Sequence, residues 1–375
     1  MRPTRVEIDL SAIKHNLEQI RARTKNRLMM AIKADAYGHG AETVGRFVQE
    51  KSLADQLGVS CIEEALQLRK AGIHLPILIF GLISASPDDI DAVFSHDVMP
   101  TVADMTLIEA LIKGARRWNR RIRVHVKTDT GMGRLGLPPD KTLEVISHIA
   151  ELPEIEIAGL YTHFPVSDEP GNSFTTGQVR QFIELSNKLA SAKIDAGLRH
   201  CASSGAIINH PESFLDMVRP GILCYGLYPS EDMEKVVDVI PAMTLKTGIM
   251  FVKRVRKGTG LSYGLTYRPE RDSNIATIPV GYADGYSRSL SNVARVLIDN
   301  KPYPVVGRIC MDQALVDLGD DSYPVGHEVT LFGKETITAA TVASWSRTIP
   351  YEVTCDMSRR VPRMYSEIKP KPSLK

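Results

Sequence analysis

Hydrophobic positions along the chain recur first at helical spacing and then in short apolar runs. Ile13, Leu17 and Ile20 fall on one face of a helix, and Ser11 is placed to cap it. Apolar runs follow at 28–32, 57–59, 76–80, 98–102, 122–128, 155–162, 199–203 and 217–222. Helix-period segments at 62–68, 103–112, 142–149 and 179–189 lie between them. Strand and helix alternating eight times predict a parallel (β/α)8 barrel of the TIM type. A doubly wound open sheet has the same alternation, and periodicity alone does not separate the two.

After Tyr228-Pro229-Ser230 the helical period fades and a β pattern takes over. Strands are expected at 244–255, 275–280, 296–298, 305–309, 314–318 and 329–332, with turns at Asp299-Asn300-Lys301 and Gly319-Asp320-Asp321. One helix is expected at 339–345. The pattern divides the chain into a barrel, 1–235, and a C-terminal mostly β domain, 236–375. The Lys369-Pro370-Lys371-Pro372 tail reads as disordered. Length agrees with this division, because 375 residues exceed the roughly 250 of one barrel.

Composition removes several function classes. With 43% hydrophobic and 24% charged residues, the chain is neither disordered nor fibrous. A net charge of +2 does not point to nucleic acid or an anionic membrane. The basic run Arg116-Arg117-Trp118-Asn119-Arg120-Arg121 reads as the solvated end of a helix. No run is apolar enough to span a bilayer, and the first residues lack the apolar core of a signal peptide. The five cysteines are scattered and odd in number, which suits reduced thiols in the cytoplasm.

In a barrel the chemistry sits at the C-terminal ends of the strands. The first run ends at Lys33, where partial desolvation would lower the amine's pKa and make it a usable nucleophile or base. Tyr37-Gly38-His39-Gly40 follows, and its glycines permit close backbone approach to a ligand. On the fifth strand Arg123, His125 and Lys127 share a face. The strand leads into Thr130-Gly131-Met132-Gly133-Arg134, where Arg134 could clamp a carboxylate. The sixth ends at His163. The seventh and eighth end at Ser204 and at Arg219-Pro220-Gly221-Ile222, the usual phosphate site of this fold. A lysine together with a phosphate site suggests pyridoxal 5'-phosphate, which carries an aldehyde and a phosphate. A Schiff-base aldolase acting on a phosphosugar is the competing reading.

These residues resemble a known family, the alanine racemases. Residues 31–40 are similar to the family's pyridoxal-phosphate attachment segment, and 127–136 to a second segment. Tyr161-Thr162-His163-Phe164, Val218-Arg219-Pro220-Gly221-Ile222, Ser262-Tyr263-Gly264, Gly281-Tyr282-Ala283-Asp284-Gly285 and Cys310-Met311-Asp312-Gln313 extend the match over nearly the whole chain. The resemblance implies a barrel followed by a β domain. It implies that Lys33 holds the cofactor covalently and serves as one catalytic base, with Tyr263 as the other. His163, backed by Arg219, would favour the Tyr263 phenolate. Arg219 would face the pyridine nitrogen and restrain side reactions. Tyr37, Ser204, Gly221, Ile222 and Tyr351 would hold the phosphate. Arg134 and the Met311 amide would hold the substrate carboxylate, and Tyr282 would narrow the pocket toward a methyl side chain. Lys127, on the inward polar face of the fifth strand, would repel Arg134 as an ammonium; some family members carry this lysine as a carbamate.

The resemblance further implies a homodimer in which the β domain of one subunit caps the barrel of the other, so that sites are shared. The expected role is supply of D-alanine for bacterial cell-wall peptidoglycan. A related racemase with another substrate, such as serine, would carry the same motifs. A non-catalytic pyridoxal-phosphate carrier has the barrel but lacks the second domain, and a decarboxylase fits the Tyr263 segment poorly. Asp312 has no cluster around it that would make it a metal ligand.

Overall fold

The computed structural model describes residues 2–367. The 369–372 segment read above as disordered lies outside the described residues. Eight parallel strands form the first architectural unit: Arg27–Ala31, Gln56–Val59, Ile77–Ile79, Thr101–Val102, Ile122–Lys127, Ile155–Tyr161, Leu198–His200 and Met217–Val218. They pair as two four-stranded runs, third–second–first–eighth and fourth–fifth–sixth–seventh. Backbone bonds close both seams. The Met99 amide donates to Ile77 (2.9 Å) and Ile79 to Met99 (3.0 Å); the Asp216 amide donates to Arg199 (3.0 Å) and Arg219 to Ala202 (2.8 Å). Closure at both seams selects the barrel over the open sheet.

The core follows from this closure. Met29, Leu78, Met99, Tyr161 and Met217, from five strand segments, form a compact cluster of their own. The larger core packs the helices and the second domain. Arg116, Arg117 and Arg120 are paired with Glu154, Asp91 and Asp97, and Asn119 ends the helix Met105–Trp118 in the left-handed conformation. The basic run is therefore a helix end in solvent. All five cysteines are free thiols.

The second unit is a nine-stranded sheet. Its strands lie in the order Phe251–Val255, Ser273–Ile278, Ala314–Gly319, Lys301–Val306, Arg295–Ile298, Glu328–Phe332, Met243–Gly248, Arg5–Asp9 and Arg363–Ser366. The first described strand, Arg5–Asp9, thus belongs to this sheet and not to the barrel. Arg5–Asp9 runs antiparallel to Met243–Gly248 and parallel to Arg363–Ser366.

Several local expectations change. The opening helix, Leu10–Thr24, is capped by Asp9 rather than Ser11, because the strand runs straight into it; the Asp9 carboxylate accepts the Ser11 and Ala12 amides at 2.9 and 3.3 Å. The strand expected at 244–255 is two strands. At Ile249 and Met250 the chain leaves one set of sheet neighbours, bonding His327, and joins another, bonding Thr277. The strand expected at 305–309 lies earlier, at Lys301–Val306, and Gly307 at φ 70° ends it. Pro302 and Pro304, which lack amide protons, disguise it. Asp299 and Asn300 are both left-handed and form the hairpin turn, so Lys301 is already in the strand. A short helix, Pro350–Cys355, was not expected; it packs against the segment that follows Lys33.

Candidate active site

The backbone after Lys33 is unusual. Ala34, Asp35, Ala36 and Tyr37 have φ of 51°, 53°, 56° and 53°, four consecutive non-glycine residues in the left-handed region, before Gly38 at 83°. Side chains disfavour this conformation by roughly 1–2 kcal/mol per residue, so tertiary contacts must hold it. The Ala36 amide donates to Ile32 (2.9 Å), Gly38 to Ala34 (2.9 Å) and Gly40 to Asp35 (2.8 Å). His39, fully buried, bonds the Ala36 and Tyr37 carbonyls through Nδ1 at 3.0 Å and stacks on Tyr225. Burial holds its imidazole down to about 4, so it is neutral. Gly38 meets the Thr354 carbonyl so closely that a Cβ would lie 1.9 Å from it. This contact seats the helix Pro350–Cys355 on the turn.

A cavity of about 430 Å³ opens at the barrel's C-terminal end. Its lining includes Lys33, Tyr37, Lys127, Arg134, His163, Ser204, Arg219, Gly221, Ile222 and Tyr351. Ten of the residues singled out in the sequence therefore converge there. Lys33, Lys127, Arg134 and Arg219 bring four cationic groups to the lining, against one carboxylate, Asp168, among the described residues. Such a cavity is built for an anion. Burial, then Arg134, lowers the Lys33 amine. Lys127 is 3% exposed and is pushed down to about 8 by burial and by Arg219, Arg134 and Lys33. Burial, then the same group of cations, holds His163 well below its ordinary value.

Arg219 is 6% exposed and pushed down to about 10 by burial, yet remains charged. Its guanidinium donates to the Thr162 carbonyl (2.7 Å), the His200 carbonyl (2.6 Å) and His200 Nδ1 (2.9 Å). His200 must then carry its proton on Nε2, facing His125 Nδ1 at 2.8 Å. The arginine is thus oriented by His200; its hydrogen bonds do not go to His163.

On the fifth strand His125 and Lys127 are buried as their shared face implies, while Arg123 reaches out to Asp97. Asp129 organises the loop beyond. Its carboxylate accepts the Gly131, Met132 and Gly133 amides at 2.8–2.9 Å. Leu137 closes the loop onto Lys127 (3.0 Å) and Asp129 (2.7 Å), with Arg134 at its tip. On the opposite wall Ser204 Oγ accepts the Gly221 amide at 2.9 Å. A Cβ at Gly221 would lie 2.5 Å from Tyr37 Oη, so a side chain there would displace the Tyr37 hydroxyl. The Tyr37 and Tyr351 rings lie 6.0 Å apart.

Tyr263, Tyr282 and Met311 are elsewhere. None lines the cavity, and they are 70%, 42% and 52% exposed. They are neighbours of one another in the second domain. Ser262 Oγ, beside Tyr263, donates to the Arg308 carbonyl (2.6 Å), and the Tyr282 and Ala283 amides donate to Cys310 (3.1 Å) and Met311 (3.0 Å). Asp312 pairs with Arg360 at 2.7 Å. Beneath them Asp284, fully buried, binds Arg2, Arg360 and the Gly281 amide.

Two family models match in register with these two units: "Alanine racemase, N-terminal domain" over residues 8–229 and "Alanine racemase, C-terminal domain" over 242–365. This chain belongs to the alanine racemase family. An alanine racemase of Desulforamulus reducens is 45% identical over 97% of this chain and 99% of its own. The solved alanine racemase of Clostridium difficile 630 matches with a TM-score of 0.92 at 38% identity, covering 98% and 96% of the two chains. That of Bacillus anthracis, with bound L-Ala-P, matches with 0.89 at 35% identity, covering 98% and 95%. The chain is accordingly an enzyme, an isomerase of alanine racemase type, and among the described residues no helix is long and apolar enough to cross a membrane.

Within this alanine racemase fold the sequence reading passed over several cavity residues. Asp168 and Ser167 follow His163 in a loop without periodicity. Cys355 lies one helical turn after Tyr351, a spacing that becomes visible only once the short helix is known. His200, which orients Arg219 from outside the cavity lining, sits in the seventh apolar run, where a histidine reads as core.

Proposed function

We propose that this chain is a pyridoxal-phosphate-dependent racemase interconverting L- and D-alanine. Its barrel, within 1–235 but without the Arg5–Asp9 strand that joins the second sheet, would hold the cofactor, and its β domain, 236–375, would complete the site of a second subunit in a homodimer. The observation that carries the cofactor reading is the cavity itself: a lysine at a strand end, a glycine-bounded wall at Ser204 and Gly221, and an excess of cations suit a phosphate-bearing aldehyde. When bound, that cofactor supplies an aldehyde for amine linkage and a ring that accepts the electrons left as the Cα proton departs.

The chain's own residues do the rest. Lys33 holds the cofactor covalently, and Tyr37, Ser204, Gly221, Ile222 and Tyr351 hold its phosphate. Arg219, kept charged and aimed by His200, would face the ring nitrogen and so curb side reactions. Arg134 and the Met311 amide hold the substrate carboxylate, and Tyr282 restricts the pocket to a small side chain. Inversion needs a proton taken from one side of Cα and returned to the other, which one base serves poorly. Lys33 Nζ and Tyr263 Oη are the two groups, with His163 supporting the phenolate. The Lys127 amine is pushed down to about 8, so a fraction of it is unprotonated at neutral pH and can add to the carbon of CO2 with loss of one proton. The resulting carbamate anion would hold Arg134 where an ammonium would repel it. In the cell the product would be D-alanine for peptidoglycan, made in the cytoplasm.

The test is racemisation in deuterated water. Pure protein supplied with pyridoxal phosphate and L-alanine should abolish optical rotation while the Cα position takes up deuterium. Retained rotation without deuterium uptake would overturn the reading; racemisation of serine in preference to alanine would replace the substrate.

A further inference from the structure

Glu64 lies on the helix Ile62–Lys70, half-buried and outside the cavity lining. Its Oε1 accepts the Ala34 amide at 2.7 Å, and its Oε2 accepts the Ser60 amide at 2.7 Å. Ala34 is the first left-handed residue after Lys33, and Ser60 follows the second barrel strand, Gln56–Val59. One carboxylate therefore fastens the C-terminal ends of two adjacent strands. The Ala34 amide opens a helical turn, where a backbone donor has no acceptor within the turn. Glu64 supplies that acceptor at the point where the chain switches hand.

We propose that Glu64 is the positioning residue of Lys33: it locks the left-handed turn onto the second strand and so fixes where the Lys33 amine stands. Glu64 also opposes the other charges that face that amine. Arg134, from the fifth-strand loop, lowers its pKa together with burial, while Glu64 and Cys355, from the Pro350–Cys355 helix, raise it. Removing the carboxylate should then both loosen the turn and leave the amine more easily deprotonated. The sequence pattern gave no hint of this role, because Glu64 reads as a first-turn helix acid.

The proposal rests on the reading of Lys33 as the reacting amine only for its effect on activity, so two readouts use the full-length chain without reference to turnover. The first is amide hydrogen exchange over 33–41. The second is competitive acetic anhydride labelling of Lys33 against pH, on cofactor-free protein. Glu64→Ala should speed exchange in 33–41 roughly tenfold or more while the distant helix Met105–Trp118 is unchanged. Glu64→Gln, which keeps one acceptor oxygen and removes the charge, should move the Lys33 labelling midpoint to lower pH. In the alanine assay both variants should lower kcat more than they alter KM. Unchanged exchange in Glu64→Ala, or an unmoved labelling midpoint in Glu64→Gln, would overturn the proposal. Absence of racemisation by the unsubstituted protein would instead count against the proposed function and leave both readouts standing.

Discussion

Lys127 and Arg219, at the barrel's end, are almost sealed from water, whereas Tyr263, Tyr282 and Met311, on the second domain, stand largely in it. The first group has surrendered hydration, and the amines of Lys33 and Lys127 are lowered accordingly. The second group keeps its water but not its freedom. Its backbone is tied down by Asp284, Arg2 and Arg360 and by the Tyr282 and Ala283 amides. One region is preorganised by burial, the other by an ion-pair network beneath exposed side chains. An exposed cluster held this firmly is a surface prepared for something to be laid against it, and the anionic-ligand cavity of a second copy is what the proposed function lays there.

The two proposed bases lie one in each of these regions. Lys33→Ala and Tyr263→Phe should each lower kcat by at least about 10²–10⁴-fold, with the larger loss at Lys33 because the cofactor linkage goes with it. A Tyr263→Phe enzyme within a few-fold of the parent would detach the exposed cluster from the chemistry. Asp284→Asn probes the network that holds that cluster. Removing the buried charge that pairs two partly exposed arginines should destabilise the fold by about 1–2 kcal/mol, seen as a lower denaturant midpoint, and raise KM for alanine.

Smaller effects sharpen the contrast within the cavity. Arg134→Lys keeps the charge but loses the fork geometry, so KM should rise about tenfold with kcat less affected. Lys127, down to about 8, is mostly ammonium below that pH, so carbamate occupancy should grow as pH rises from 6.5 to 9. Labelled CO2 would report it as a carbamate carbon resonance, and crystal density with a bare amine at pH 9 would rule it out. His39 titrates in the opposite sense to a paired cation. Its folded pKa, about 4, lies below the ordinary 6.5, so the unfolded chain binds the extra proton between those values. Stability is full above pH 6.5 and falls as pH drops toward 4, by roughly 3 kcal/mol at most. His39→Gln should flatten that segment of the stability curve.

The barrel strands were legible because each is a short apolar run followed by a helix period, and strand-end chemistry follows from the fold. What was hidden depends on contacts distant in sequence. Arg5–Asp9 finds its partners more than 230 residues away, at Met243–Gly248 and Arg363–Ser366, and nothing local marks it as part of the second sheet. Ala34-Asp35-Ala36-Tyr37 contains no glycine, so residue preference alone argues for a right-handed turn. Glu64, His39 and the Pro350–Cys355 helix override it. Lys301–Val306 is a strand despite two prolines because its other groups pair on both sides. At the site, ten residues marked in the sequence share one cavity, while Tyr263, Tyr282 and Met311 form a second cluster whose separation from the first no linear pattern reveals.

Mixing the two defective chains tests the shared site most directly. Lys33→Ala and Tyr263→Phe proteins, refolded together in equal amounts with pyridoxal phosphate, should regain about one quarter of the parent's activity, since half the dimers are mixed and each mixed dimer has one intact site. A mixture as inactive as its two components, in dimers shown to have exchanged subunits, would contradict it.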